Sequence, residues 1–235
     1  MLDLSQYKWL SFDCYGTLID WESGILGYLR PLLRRHGRHI DDNQILHLYS
    51  EFEPREQAGE YRRYREVLAS VVRDFAHELQ FEATEAEAAG LAESILHWQP
   101  FSDTVPALRA LHARFKLAVL SNIDRDLFAY SALKLEVPFD LVVTAEDARG
   151  YKPSIRNFEL LLQKLPVPQS QLLHVAESLF HDVAPARSLG IATVWVNRRQ
   201  GKPAAASKLV AAQPDLEVQD LSALVKLFPE HTRTD

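Results

Sequence analysis

Hydrophobic positions keep two different rhythms along the chain. A short, almost continuous apolar run, Trp9-Leu10-Ser11-Phe12, ends in Asp13 and is followed at once by Gly16 and Thr17. Such a run predicts a buried first strand over 8–13, with a tight turn behind it and Asp13 delivered to a crevice. The spacing then becomes helical. Ile25, Leu26, Leu29, Leu32 and Leu33 recur on one face, as do Ile45, Leu46 and Tyr49, then Tyr61, Tyr64, Val67, Leu68, Val71, Val72 and Phe75, and last Leu91, Ile95 and Trp98. Thr84 followed three residues on by Glu87 predicts a capping box for the last of these helices. Residues 20–100 therefore read as an inserted helical cap, with 1–19 and 101–235 forming the α/β core.

Alternating strand and helix signals follow the insert. Helices are predicted from Asp103 to Ala113, Asp124 to Leu135, Ser154 to Lys164, Phe180 to Leu189 and Leu221 to Phe228. Between them lie apolar strands at Lys116–Asn122, Phe139–Thr144, Leu172–Ala176 and Thr193–Val196. Repeated strand–helix units impose right-handed crossovers and a mainly parallel, Rossmann-like sheet. Pro203 to Ala212 reads as a loop, and the end from His231 as fraying. Ligand sites in open α/β sheets lie beyond the carboxyl ends of the strands. Asp13, Ser121, Asn122, Glu177 and Ser178 all fall there, and the loop after the third strand carries Lys152.

Composition narrows this little. A 47% hydrophobic share suits a globular domain with one insert, and a net charge of −6 argues against broad nucleic-acid or phospholipid binding. A single cysteine excludes an internal disulfide framework and a multi-cysteine metal site. Strand alternation turns Cys14 away from Asp13, as a packed, inert thiol. No stretch reads as a secretory signal or a bilayer span, so a cytoplasmic location without membrane partners is the expectation.

Asp13 has three readings on chemistry alone: nucleophile, metal ligand, or cap of a following helix. Ser121 and Asn122 either bind an anion beside a helix start or cap that helix. The segment Asp13-Cys14-Tyr15-Gly16-Thr17-Leu18 resembles the first motif of the haloacid dehalogenase-like hydrolases. Ser121-Asn122, Gly150-Tyr151-Lys152-Pro153-Ser154 and Glu177-Ser178-Leu179-Phe180-His181-Asp182 match the remaining motifs in order, so the resemblance covers essentially the whole chain. It implies that the first strand is central, with the second and third to one side and the fourth and fifth to the other. It implies Asp13 as nucleophile, Lys152 as its ion-pair partner and Asp182 near the lysine. Thr17, Ser121 and Asn122 would hold the substrate or Asp13, and Tyr15 and Trp21 would wall the pocket.

Two residues pull the resemblance apart. Phosphatases of the family place a second aspartate two residues after the nucleophile, and here that position is Tyr15, whose ordinary pKa of about 10 makes it a poor base near neutrality. The form Asp-x-Tyr-Gly-Thr is that of the L-2-haloacid dehalogenases (type II). Glu177 points the other way: with Asp13 and Asp182 it forms the donor set that family phosphatases use for Mg²⁺. The favoured expectation is cofactor-free hydrolytic dehalogenation of a short 2-haloacid through an aspartyl ester. The alternatives are a Mg²⁺-dependent phosphatase acting on a small phosphomonoester and a non-catalytic small-ligand binding protein. A small anionic substrate is implied, with a halide-holding arginine from the insert, for which Arg55 is the candidate. Pairing as a homodimer is a family expectation only.

Overall fold

The computed structural model describes residues 3–199 and 212–228. Six parallel strands form one sheet in the order β3-β2-β1-β4-β5-β6: β1 Trp9–Phe12, β2 Lys116–Ser121, β3 Leu141–Thr144, β4 Leu172–Ala176, β5 Ala192–Val196 and β6 Leu216–Val218. The strand order departs in both directions from β1. The crevice at a reversal of this kind is where an open α/β sheet binds its ligand. Each residue of β1 is matched on both sides, Phe12 against Val119 of β2 and Val175 of β4. Asp13, Ser121 and Glu177 thus leave adjacent strands at one edge.

Side-chain alternation divides the core into two layers. Leu10, Phe12, Leu117, Val119, Leu173 and Val175 pack on one face, continuous with the helical insert. Trp9, Ala118, Leu120, Val143, Leu172 and Phe158 pack on the other. That second face also receives α8 (Ile155–Lys164) and α9 (Ala184–Ser188), through Phe158, Leu161 and Ala186.

The cap consists of α1 Trp21–Arg35, α2 Asp42–Gln57, α3 Tyr64–Glu78 and α4 Glu85–Ser94. The predicted capping box forms, with the Thr84 side chain accepting from the Glu87 N–H. Asp41 and Gln44 make another at the start of α2. The start of α3 is different. Its first N–H groups, those of Tyr64 and Arg65, donate to Asp124 of the core at 2.9 and 3.0 Å. Asp124 makes no side-chain cap on its own helix, α6 (Arg125–Leu135), and instead bridges cap and core.

The helix predicted from Asp103 forms as α5 (Thr104–His112), and several other boundaries differ from the pattern. The helix predicted from Phe180 to Leu189 begins as a π-helical turn, Leu179–Val183, before α9. Two short elements were not foreseen: α7 (Ala145–Ala148), and β6, which pairs with β5 ahead of the terminal helix α10 (Leu221–Lys226). Ser154 precedes α8 without a side-chain cap bond. The predicted loop at 203–212 lies outside the described residues except for its last position, and the predicted fraying from His231 lies wholly outside them. Among the described residues, no helix is long and apolar enough to cross a membrane.

Candidate active site

Asp13 leaves the end of β1 with its backbone N–H bonded to the carbonyl of Val175 on β4. The turn behind it needs Gly16, whose φ is +98° and whose Cβ, if present, would sit 3.2 Å from the Trp21 indole nitrogen and 3.4 Å from Glu177 Oε2. Cys14 supplies the backbone carbonyl that closes this turn onto Leu18 and Ile19, while its own thiol is buried. Burial pushes that thiol well above the ordinary range, which leaves it protonated and inert as expected.

Both Asp13 oxygens are held. Oδ1 accepts from Lys152 Nζ at 2.9 Å and Oδ2 from the Thr17 hydroxyl at 2.8 Å. Thr17 is itself oriented by the N–H of Glu177, which donates to its oxygen at 2.9 Å. Lys152 is almost fully buried and donates also to the Leu120 carbonyl at 2.9 Å and to Asp182 Oδ1 at 2.5 Å. The side chain of Asn122 brackets the Lys152 backbone, donating to its carbonyl at 3.0 Å and accepting from its N–H at 2.7 Å. Asn122 therefore fixes the lysine instead of capping α6.

Beneath this cluster lies a pair that the sequence reading missed. His174 Nε2 is 3.1 Å from Asp182 Oδ1, and its Nδ1 is 2.8 Å from the Ser11 hydroxyl. With Nε2–H donating to the carboxylate, Nδ1 accepts from Ser11. The visible signal was a polar residue in each of two otherwise apolar strands. Only the register Ser11 against His174 brings them together.

The charges set one another. Burial raises the Asp13 pKa, and Lys152 and Thr17 oppose that rise without cancelling it. Burial disfavours the ammonium of Lys152 as well, but Asp13 and Asp182 outweigh it and hold the lysine above its usual value. For Asp182, burial is overcome by Lys152 and His174, so its pKa is lowered. Glu177, partly buried and facing the charges of Asp13 and Asp182, is pushed up to about 7.

A cavity of about 120 Å³ opens above Asp13. The core lines it with Tyr15, Ser121, Asn122, Lys152, Glu177 and Asp182, and the cap with Trp21, Tyr49, Ser50, Glu53, Pro54, Tyr64 and Trp98. Ser121 Oγ is buried there without a hydrogen-bond partner among the described residues, the kind of orphan that a ligand oxygen satisfies. Tyr15 presents its ring edge-on to Trp98 at 5.6 Å, and its hydroxyl is tied to Ser131 at 2.9 Å. The phenol is thus committed to α6.

The protein-family comparison matches residues 7–190 to the haloacid dehalogenase-like hydrolase model. The chain belongs to that family. It is 29% identical to an (S)-2-haloacid dehalogenase from Pseudomonas sp. (strain YL), over 94% of each chain. It is 27% identical to haloacetate dehalogenase H-2 from Moraxella sp. (strain B), over 93% of this chain and 96% of that one. Among solved folds, the L-2-haloacid dehalogenase from Xanthobacter autotrophicus with chloropropionic acid covalently bound superposes with a TM-score of 0.79 at 23% identity. That match covers 94% of this chain and 98% of the other. The magnesium-bound hydrolase YfnB from Bacillus subtilis superposes with a TM-score of 0.78 at 19% identity, over 94% and 98%.

This member of the family departs from the sequence expectation on the cap. Arg55 does not reach the cavity: it pairs with Asp74 at 2.7 Å and is more than half exposed, 57%. It lies two positions beyond Glu53 on α2, about 200° around the helix, so it faces away when Glu53 faces in. No arginine lines the cavity among the described residues. Glu53 is the acidic residue that sequence reasoning overlooked. Burial pushes it up to about 7, and the Tyr64 hydroxyl, donating to Oε1 at 3.2 Å, only partly offsets that.

The carboxylates expected as a donor set for Mg²⁺ are engaged with cations of the protein itself. Among the described residues no three acidic or imidazole side chains are grouped as an ion cage. Asp13 Oδ1 and Asp182 Oδ1 converge on Lys152, and Glu177 Oε1 lies 3.7 Å from Arg199.

Proposed function

We propose that this hydrolase removes halide from a short 2-haloacid in two steps, with Asp13 as the nucleophile. One observation carries the reading. Asp13 is held by Lys152 and Thr17, while Tyr15, at the place of the phosphatase acid, is turned to Ser131. A leaving group is thereby favoured that needs no proton.

In the first step an Asp13 oxygen attacks C2 from the side opposite the halogen. The C–O bond forms, the C–halogen bond breaks, and halide departs with the electron pair, inverting C2. Ser121 Oγ offers its unpaired hydroxyl to the substrate carboxylate. Trp21 lines the same cavity, and its indole N–H is the donor we assign to the halide. In the second step water attacks the carbonyl carbon of the Asp13 ester. Asp182 receives its proton through Oδ2, since Oδ1 is engaged by Lys152 and His174. Lys152 and Thr17 stabilise the oxyanion that develops on Asp13, a contribution of about 10²–10³ in rate for one such donor. On collapse the proton of the added hydroxyl passes to the departing alkoxide oxygen, which restores the Asp13 carboxylate and releases the 2-hydroxy acid.

Chloride release from 2-chloropropionate tests this. Release that is unaffected by a chelator and abolished in Asp13→Asn is the expected result. No release from several short 2-haloacids, together with Mg²⁺-stimulated hydrolysis of an aryl phosphate, would replace the reading with the phosphatase one.

A further inference from the structure

We infer that the cap wall of the pocket selects a 2-haloacid whose substituent carries a protonated amine, and that Glu53 is the residue that recognises it; this deepens the dehalogenase reading and rests on it. The wall formed by α2 and α3 has spent its hydroxyl donors. Tyr64 donates to Glu53 Oε1, so the 3.0 Å bond between Tyr49 and Tyr64 has Tyr49 as donor. The Ser50 hydroxyl donates to the His47 carbonyl at 2.6 Å. What remains on this wall accepts. Gln57 and Tyr64 both donate to Glu53 Oε1, and Oε2 has no partner among the described residues. Pro54, inside α2, has no N–H, so the carbonyl of Ser50 one turn earlier lacks its helical donor. Glu53, Ser50 and Pro54 all line the same cavity as Asp13.

Charge leads to the same chemistry. Glu53 is a partly buried carboxylate, and among the described residues no cation pairs with it. Lys152, the cation that lines the pocket, is already shared by Asp13 and Asp182. A buried carboxylate without a counter-charge is costly, and a ligand that supplies one recovers that cost on binding. A simple alkyl substituent leaves both acceptors unmet, whereas an ammonium satisfies them and neutralises Glu53. A cavity of about 120 Å³ admits only a small amine. The carboxylate end of the substrate meets Ser121 on the opposite, core side.

The test uses stable product analogues, titrated calorimetrically into the full chain: 3-amino-2-hydroxypropionate and lactate. The wild-type protein should bind the amino acid at least about tenfold more tightly than lactate, as expected for a charged hydrogen bond in a buried site. In Glu53→Gln, which keeps shape and removes charge, that preference should shrink to under about threefold. Equal affinities in the wild type, no binding of the amino compound, or a preference that survives Glu53→Gln would overturn the inference. Chloride release from 2-chloropropionate, measured on the same preparation, separates the two levels. Release with no amine preference removes the inference alone, and absence of release from both 2-chloropropionate and 3-amino-2-chloropropionate removes the dehalogenase reading with it.

Discussion

At Asp13 a single ammonium serves two carboxylates, and this sets the pH at which the proposed nucleophile is ionised. Burial holds the Asp13 pKa above its ordinary value, whereas Asp182 stays below its own. The attacking carboxylate therefore forms as pH rises through the elevated Asp13 value, and kcat/KM should rise with it. The acid limb of the profile is expected above the usual aspartate value of about 3.9. Lys152→Met removes the charge that opposes the rise, so the limb should move to still higher pH and kcat/KM should fall by about 10²–10³-fold. A limb at or below the ordinary value, read from the pH dependence of chloride release, would contradict this. Much of the residue-scale picture was legible in the sequence, because Asp13, Ser121 and Glu177 sit where apolar strands stop. Arg55 and Glu53 were not, since both lie on one helix and only the packing of Tyr49 and Phe52 decides which of its faces turns inward. Ser11 and His174 became a pair only through strand register.

Between elements, the joint that matters most is the one Asp124 makes. Its carboxylate accepts from the first N–H groups of α3, and Arg63 and Arg65 of the same helix start reach Asp126 on α6. This is a helix N-cap supplied from sixty residues away in sequence, and it pins the cap over the pocket. Asp124→Ala should cost about 1–2 kcal/mol of stability, the usual value of a lost cap. It should also speed proteolytic cutting within α2 and α3 more than within the sheet. Asp124→Asn, which still accepts, should restore part of both. A thermal shift and limited proteolysis read these, and unchanged cleavage of the cap in Asp124→Ala would sink the idea. The pattern predicted α6 with Asp124 as its first residue, but nothing local shows that this carboxylate serves a different helix. Similarly, β6 has three residues at a sheet edge, too few to carry a periodic signal.

For the whole molecule, the site's acidity has a thermodynamic consequence. Glu53 and Glu177 are each raised from about 4.5 to about 7 in the folded state. Between those values the folded chain binds more protons than the unfolded one, so stability falls as pH rises from about 4.5 to about 7 and levels off above that. Each group contributes up to about 3 kcal/mol to the fall. The lowered carboxylates Asp140, Asp147 and Asp215 act in the opposite sense, but at more acidic pH, as they protonate below their ordinary range. Urea unfolding should therefore give a lower midpoint at pH 8 than at pH 5, and the double variant Glu53→Gln/Glu177→Gln should lose most of that difference. A wild-type midpoint that rises from pH 5 to pH 8 would refute it. The parallel sheet, the helical insert and the convergence of motifs at the strand ends were all readable beforehand, since strand–helix alternation constrains topology strongly. The polarity of the cap wall was not, because it depends on which donors are already spent.

That the Asp13 carboxyl becomes esterified and is then cleaved by water at its own carbonyl is tested most directly by isotope transfer. A single turnover of 2-chloropropionate, with enzyme in excess, is run in water enriched in ¹⁸O, and the peptide containing Asp13 is weighed by mass spectrometry. One ¹⁸O atom should appear in the Asp13 carboxylate while the first 2-hydroxy acid released carries none. Label in that first product, with an unlabelled Asp13, would mean that water attacks the substrate carbon directly and would contradict the account.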